Sequence, residues 1–231
     1  MRIRIILLLL LFSAFSFQSY AQQDNLNNWF QYTMSAKLSP KWSVTALSQY
    51  RSYDLVQDSR LFLVATYLER TFENGITPGA GYMFLVLEPY NSVSEKRIRY
   101  ENRAFQQLSL KSNIGRVSIS HRYRVEERFL TNPDDFVLRL RYLISLRIPF
   151  NGENKKDLFY GIFKNEIRMN VVKEEQFDSN RITAGIGIHL SKRSAIEVSF
   201  VNQLNPDDTS NYTLFSYRNT FDFSKKEPKQ N

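Results

Sequence analysis

Apolar and polar residues alternate along most of this chain with a period of two. Between Gly115 and Phe129, Val117, Ile119, Tyr123, Val125 and Phe129 share one parity, while Ser118, Ser120, Arg122, Arg124, Glu126 and Arg128 share the other. The pattern repeats after a short polar link. Leu138, Leu140, Tyr142, Ile144, Leu146, Ile148 and Phe150 alternate with Arg139, Arg141, Ser145 and Arg147. Successive side chains of a strand point to opposite faces, so each run predicts a long strand with one apolar and one cationic face. From Gln22 to Asn231 there is no helix-period segment of useful length. The recurring unit is a strand followed by a turn signal. It predicts strands near 28–38, 42–53, 60–72, 77–88, 96–110, 115–129, 136–150, 157–170, 180–191, 194–204 and 211–223.

Short links (Ser39–Lys41, Glu73–Gly75, Lys111–Ile114, Ser191–Arg193) alternate with longer ones (Asp54–Ser59, Glu88–Glu95, Leu130–Asp135, Val171–Ser179, Asn205–Ser210), and Asn151-Gly152 opens one of middling length. Alternating link lengths are what an antiparallel up-and-down transmembrane β-barrel shows, with tight periplasmic turns and longer outer loops. About 9–11 tilted residues span a hydrocarbon layer, which the runs satisfy. A soluble barrel has the same period with its apolar face inward. Two features favour the membrane barrel. First, Arg99, Glu101, Arg103, Arg122, Arg124, Glu126, Arg128, Arg139, Arg141, Lys164, Glu166 and Arg168 fall on the polar parity of four consecutive strands, and Arg181 follows on the next. Interleaved Arg and Glu suit an ion-pair network filling a lumen better than a solvated exterior. Second, Trp29, Trp42, Tyr53, Phe72, Phe129, Phe136, Phe150, Phe159, Phe200 and Phe223 lie at or near strand ends, as in interfacial girdles. Single-chain bacterial barrels have even strand numbers. The expectation is therefore 10–12 strands with the parity open.

Residues 1–21 have the form of a signal peptide. Arg2 and Arg4 precede the apolar run Ile5–Phe17, and Ser19-Tyr20-Ala21 offers small residues for cleavage. That leaves one domain, residues 22–231, with a short polar C-terminal tail. The chain has no cysteine, which excludes disulfides, thiol chemistry and lipoprotein acylation. The expected location is the outer membrane of a Gram-negative bacterium. Removing Arg2 and Arg4 leaves 29 basic against 23 acidic residues, a net +6. These charges alternate within strands and form no basic stripe, so nucleic acid is not an expected partner. The expected partners are outer-membrane lipids and, during biogenesis, the outer-membrane assembly machinery.

The runs Glu101–Gln107 and His121–Phe129, the Arg139-x-Arg141-Tyr142…Pro149 strand, the Asn165-Glu166 pair and Asn180-Arg181 resemble the exported bacterial family called domain of unknown function 2490. The resemblance covers essentially the whole mature chain. It implies an outer-membrane β-barrel and supplies no activity. The last strand, Tyr217-x-Asn219-x-Phe221-x-Phe223, is similar to the aromatic signal that ends barrels handled by the assembly machinery, although the tail Ser224–Asn231 follows it.

Chemistry is sparse. There are two histidines. His121 has the apolar parity, and His189 has the polar parity with Arg181 and Thr183, within possible reach of Ser191 or Ser199 and of Glu197. No motif joins them to a nucleophile. Asp178-Ser179-Asn180-Arg181 is similar to a stretch of outer-membrane phospholipases, but no His precedes it at a fitting spacing. The loop pairs Asp134-Asp135 and Asp207-Asp208 lack the ligand spacing of a calcium site. Gly79-x-Gly81 and Gly185-x-Gly187 are strand glycines that admit bulky lumen side chains, not phosphate loops. The expectation is a barrel with a charged lumen, acting in envelope structure, small-solute passage or surface binding, with no catalytic residues, cofactor or metal. A lipid-modifying barrel enzyme, an acyl hydrolase or acyltransferase, is the alternative.

Overall fold

The computed structural model describes residues 27–150, 158–172 and 176–224. The leader, the Asn151-Gly152 turn and most of the C-terminal tail lie outside these residues. Eleven strands follow one another: β1 Asn27–Lys37, β2 Trp42–Ser52, β3 Ser59–Arg70, β4 Thr77–Leu87, β5 Arg99–Ile114, β6 Val117–Leu130, β7 Asp135–Pro149, β8 Phe159–Asn170, β9 Phe177–His189, β10 Ser194–Leu204 and β11 Thr209–Asp222. Each pairs with its sequence neighbours, and β1 pairs with β11 to close a barrel.

Eleven is odd, which settles the open parity with a structural consequence. In an up-and-down chain, an odd count makes the first and last strands run the same way. The β1–β11 seam is accordingly parallel, from Asn27 opposite Tyr212 to Lys37 opposite Asp222, and all other pairings are antiparallel. Residues level with each other on the parallel seam share a face. On the outside this stacks Phe30 on Phe215 at 5.4 Å and Tyr32 on Tyr217 at 5.7 Å.

One rim, called upper here, carries the start of β1 and the links 53–58, 88–98, 131–134, 171–176 and 205–208. The lower rim carries 38–41, 71–76, 115–116 and 190–193, with the end of β7 and the start of β8. The contrast in loop length is weaker than the sequence suggests, because the links at 131–134 and 205–208 are themselves tight. The residues Lys111–Ile114, expected as a turn, extend β5 instead. The chain reverses at Gly115-Arg116, where Gly115 takes φ +57°, as the first position of a two-residue hairpin turn of type II′ requires.

The barrel is turned inside out relative to a soluble one. Phe62, Val64, Leu68, Tyr82, Tyr100, Tyr123, Leu140, Phe163, Ile182, Ile186, Val198 and Phe200 are exposed outside, while Glu101 and Glu126 have no exposed surface inside. Phe129 and Phe136 pack on each other at 5.1 Å near the upper rim, and Trp42, Phe159 and Phe223 are exposed at the lower. Trp29 does not join this outer girdle. It sits on the inward parity of β1, 6% exposed, edge-on to Tyr212. Its position near a strand end says nothing about face, whereas its parity with Gln31 and Thr33 does.

Candidate functional site

The lumen is the only enclosed region with concentrated chemistry among the described residues. The antiparallel registers decide how its charges meet. Arg124 stands opposite Arg141, Arg141 opposite Arg168, and Arg103 opposite Arg128. These three direct pairs are like charges, an arrangement that is unfavourable by itself, whereas Glu126 stands opposite Arg139 and Glu166 opposite Arg181. The closest cross-strand carboxylate contacts run on the diagonals. Glu101 accepts a two-pronged contact from Arg128, Nε at 2.6 Å and Nη2 at 2.9 Å, and a second from Arg103. Glu126 lies between Arg103 at 3.0 Å, Arg141 at 2.5 Å and Arg124 at 3.5 Å. Glu166 takes Arg141 at 2.7 Å, Arg122 at 3.1 Å and Arg181 at 3.7 Å. Ten of the sequence-predicted lumen residues belong to these contacts: Glu101, Arg103, Arg122, Arg124, Glu126, Arg128, Arg141, Glu166, Arg181 and, through Asp178, Arg139. Arg168 also meets Asp178, at 3.4 Å. Arg99 remains at the upper rim, donating to the carbonyl of Thr131.

Two irregularities add residues that strict alternation hides. The β8–β9 register shifts between Arg168 and Met169, leaving Asp178 without an opposing residue. The bulge turns its carboxylate inward to Arg139 and Arg168. The periodicity starts the ninth strand at Asn180 and leaves Asp178 in the preceding link. The β2–β3 register shifts in the same way beside Arg60, and Arg60 also lines the lumen. Further down, Glu197 gathers Arg218 at 2.8 Å, Arg147 at 3.5 Å, Lys164 at 3.9 Å and the Tyr160 hydroxyl, which donates at 2.9 Å. Tyr160 fits because a Cβ at Gly187 would lie 2.3 Å from its ring. A Cβ at Gly81 would likewise strike Tyr67 and Phe105. Asp178, Glu197, Arg51, Arg60 and Arg218 were not among the lumen charges expected from sequence. Their parity or their isolation on a strand gave no signal.

A cavity of about 740 Å³ runs beside this network. Fourteen cationic side chains line it against two carboxylates, Glu101 and Glu166. Its other wall is apolar: Leu61, Leu63, Ala65, Met83, Leu85 and Phe105 form a buried cluster on β3–β5, with Leu47 and Tyr67 packed against it. This wall was not expected from sequence, because β3 is apolar on both parities.

The upper mouth is crossed by loop contacts. Lys96 pairs with Asp58, whose carboxylate also accepts from the Tyr90 hydroxyl at 2.7 Å. Partial desolvation opposes ionisation of Asp58, but the hydrogen bonds from Lys96 and Tyr90 outweigh it and hold its pKa below the ordinary value. Desolvation likewise works against the Lys96 charge, yet the hydrogen bond to Asp58 raises its pKa. Arg97 donates to Asn132 and joins the next loop to this cap.

The two histidines lie in different settings. His121 faces outward and shares a 2.8 Å hydrogen bond with Tyr142. The His189 ring packs on Tyr160 at 4.7 Å. The Ser179 hydroxyl donates to Asp178, which is otherwise engaged by arginines. No group of three or more His, Asp or Glu among the described residues is placed to hold a metal.

A comparison with curated proteins finds no match. Among solved structures, the chain is similar to LpxR from Salmonella typhimurium. That similarity has 11% identity and a TM-score of 0.45, and covers 78% of this chain and 83% of the other. At this level the likeness carries no functional argument. A family model described as protein of unknown function (DUF2490) matches residues 26–213, nearly the whole barrel, and the chain belongs to that family.

Proposed function

We propose that this protein is an integral outer-membrane barrel whose lumen is closed to free diffusion by an Arg/Glu network and retains a cationic cavity for solute binding. The observation that supports the reading is the inversion of polarity: large apolar side chains exposed on the outside around fully buried Glu101 and Glu126. Water offers nothing to an exterior of this kind, whereas lipid does. The shortest strands have 11 residues, enough to cross the hydrocarbon layer with tilt. Residues 1–21 supply the export signal. The outward aromatic row of β11, Phe215, Tyr217 and Phe221, supplies the surface that the assembly machinery would take. Salt bridges that link β5, β6, β7, β8 and β9 across the interior hold side chains where an open pore would need water.

The test is fractionation followed by conductance. The mature chain should remain with outer membranes through carbonate or urea extraction and show small or no steady channels in planar bilayers. Recovery as a soluble periplasmic monomer would refute the membrane reading, and a large steady conductance would refute the closed lumen.

A further inference from the structure

The two walls of the lumen differ in kind. β3 lies opposite β8 and β9 in the closed strand order. The apolar cluster of Leu61, Leu63, Met83 and Leu85 therefore looks across the cavity at the guanidinium groups of Arg168 and Arg181. Positive charge there exceeds the carboxylates available, and it is joined by Arg51, which starts opposite Leu61 on β2 and shares the Trp29 ring with Arg181. Arg51 has no carboxylate contact among the described residues. Its Nη2 donates to Gln49 at 3.2 Å, its Nε has no hydrogen-bond partner, and its guanidinium lies 3.8 Å over the Trp29 ring. Arg181 lies over the same ring at 5.2 Å; its Nε donates to Gln203 at 2.7 Å, while its Nη1 reaches a carboxylate, Glu166, only at 3.7 Å. Arg168 is 8% exposed and lines the cavity, and its Nε faces Asp178 at 3.4 Å without making a hydrogen bond. Buried guanidinium donors without partners are costly. An anion among Arg51, Arg168 and Arg181 would satisfy donors and offset charge together, and guanidinium forks suit carboxylate and phosphate.

An inorganic anion would use only this side and leave the apolar wall facing water. The geometry points to an amphiphilic anion as the ligand of this cavity: a carboxylate or phosphate head held by Arg51, Arg168 and Arg181, and a short hydrocarbon body laid against Leu61, Leu63, Met83 and Leu85. The volume of about 740 Å³ falls within the range of roughly 300–1,000 Å³ of small-molecule sites. The inference rests on the lumen's being the interior of a membrane barrel, and it names the substrate class of that interior.

Trp29 is a built-in reporter, because the chain has two tryptophans and Trp42 is exposed on the lower rim. The experiment uses the mature Trp42→Phe barrel in zwitterionic nanodiscs and reads Trp29 emission. The probes are decanoate, decanol, decyltrimethylammonium and inorganic phosphate. Decanoate should give a saturable change as the anion draws Arg51 from the indole. Decanol, decyltrimethylammonium and phosphate should bind at least tenfold more weakly. Arg51→Gln should weaken decanoate tenfold or more, and Leu63→Asn should weaken decanoate while leaving the phosphate response as it was. An equal response to decanol would show an apolar pocket alone, and phosphate matching decanoate would show a simple anion site. Either result, or no saturable change with any probe, overturns the inference. The four-probe comparison needs no lumen variant, so it stands if Arg51→Gln fails to fold. Fractionation separates the two failures: a barrel that resists extraction but ignores decanoate loses this inference and keeps the membrane reading.

Discussion

Arg124 and Arg141 stand directly opposite each other on β6 and β7, and the carboxylate of Glu126, two residues along from Arg124, touches both. A single buried anion thus holds two opposed cations and a third, Arg103, on β5. Removing it leaves three guanidinium groups short of compensation in a place water reaches poorly.

Glu126→Ala should therefore destabilise the barrel by about 3–5 kcal/mol, the usual cost of stranding the partner of a buried pair. Glu127→Ala, one residue on and facing outward, should cost far less. Heat-modifiability on gels compares the two, with bilayer conductance beside it, since freed arginines should raise the conductance of the Glu126 variant. Equal melting of both would show that the faces are assigned wrongly.

The parallel seam can be tested covalently because the chain has no cysteine. Met34 and Asn219 are register partners on the parity that includes Phe30 and Tyr32. Adjacent strands lie about 4.8 Å apart, within the Cα separation a disulfide accepts. The double variant Met34→Cys/Asn219→Cys should oxidise readily within one chain, detected as a mobility shift reversed by reductant. Failure to cross-link in the folded barrel would argue against closure by β1 and β11.

At Gly187 the Tyr160 ring occupies the space of a side chain. Gly187→Ala should push Tyr160 away from Glu197 and Arg218, at a cost of about 1–3 kcal/mol typical of overpacking. In a double-mutant cycle with Tyr160→Ala the two penalties should fall well short of additive. Additive losses would mean that the contact is not the cause.

The loop cap at the upper rim should respond to pH at both ends. Asp58 has a lowered pKa, so its contribution is complete above the ordinary 3.8 and is lost as pH falls through the folded value beneath it. Lys96 has a raised pKa, so its contribution is complete below 10.5 and is lost as pH rises through the folded value above it. Proteolysis of the 88–98 link in intact barrels should be slow between these limits and faster below the first or above the second. Asp58→Asn should remove the acid-side change. A flat profile in the unsubstituted protein would show that the pair does not hold the loop.

If His189 serves only to pack against Tyr160, His189→Asn should leave the lipid profile of the cell envelope unchanged by mass spectrometry. Disappearance of a defined lipid product in that variant would favour a lipid-modifying enzyme.

The amino-acid order by itself determined the strands, because a period of two leaves little choice once both faces are strongly marked. All eleven predicted runs correspond to strands, with ends displaced by a few residues at β5 and β9. It also determined which faces of β6 and β7 carry charge, since Arg124 and Glu126 keep one parity within β6 and Arg139 and Arg141 one within β7. Tertiary structure decided the rest. Register set Arg124 opposite Arg141 and Arg103 opposite Arg128 and moved the closest cross-strand ion pairs to diagonals, a matter of hairpin length that parity cannot express. Bulges brought Asp178 and Arg60 inward, against the count of two. Closure made the seam parallel and brought Trp29 edge-on to Tyr212 across it. The apolar lumen wall was illegible for a related reason. In β3 both parities are hydrophobic, so Leu61 and Leu63 could be told from Phe62 and Val64 only when the barrel curved and gave one side an interior.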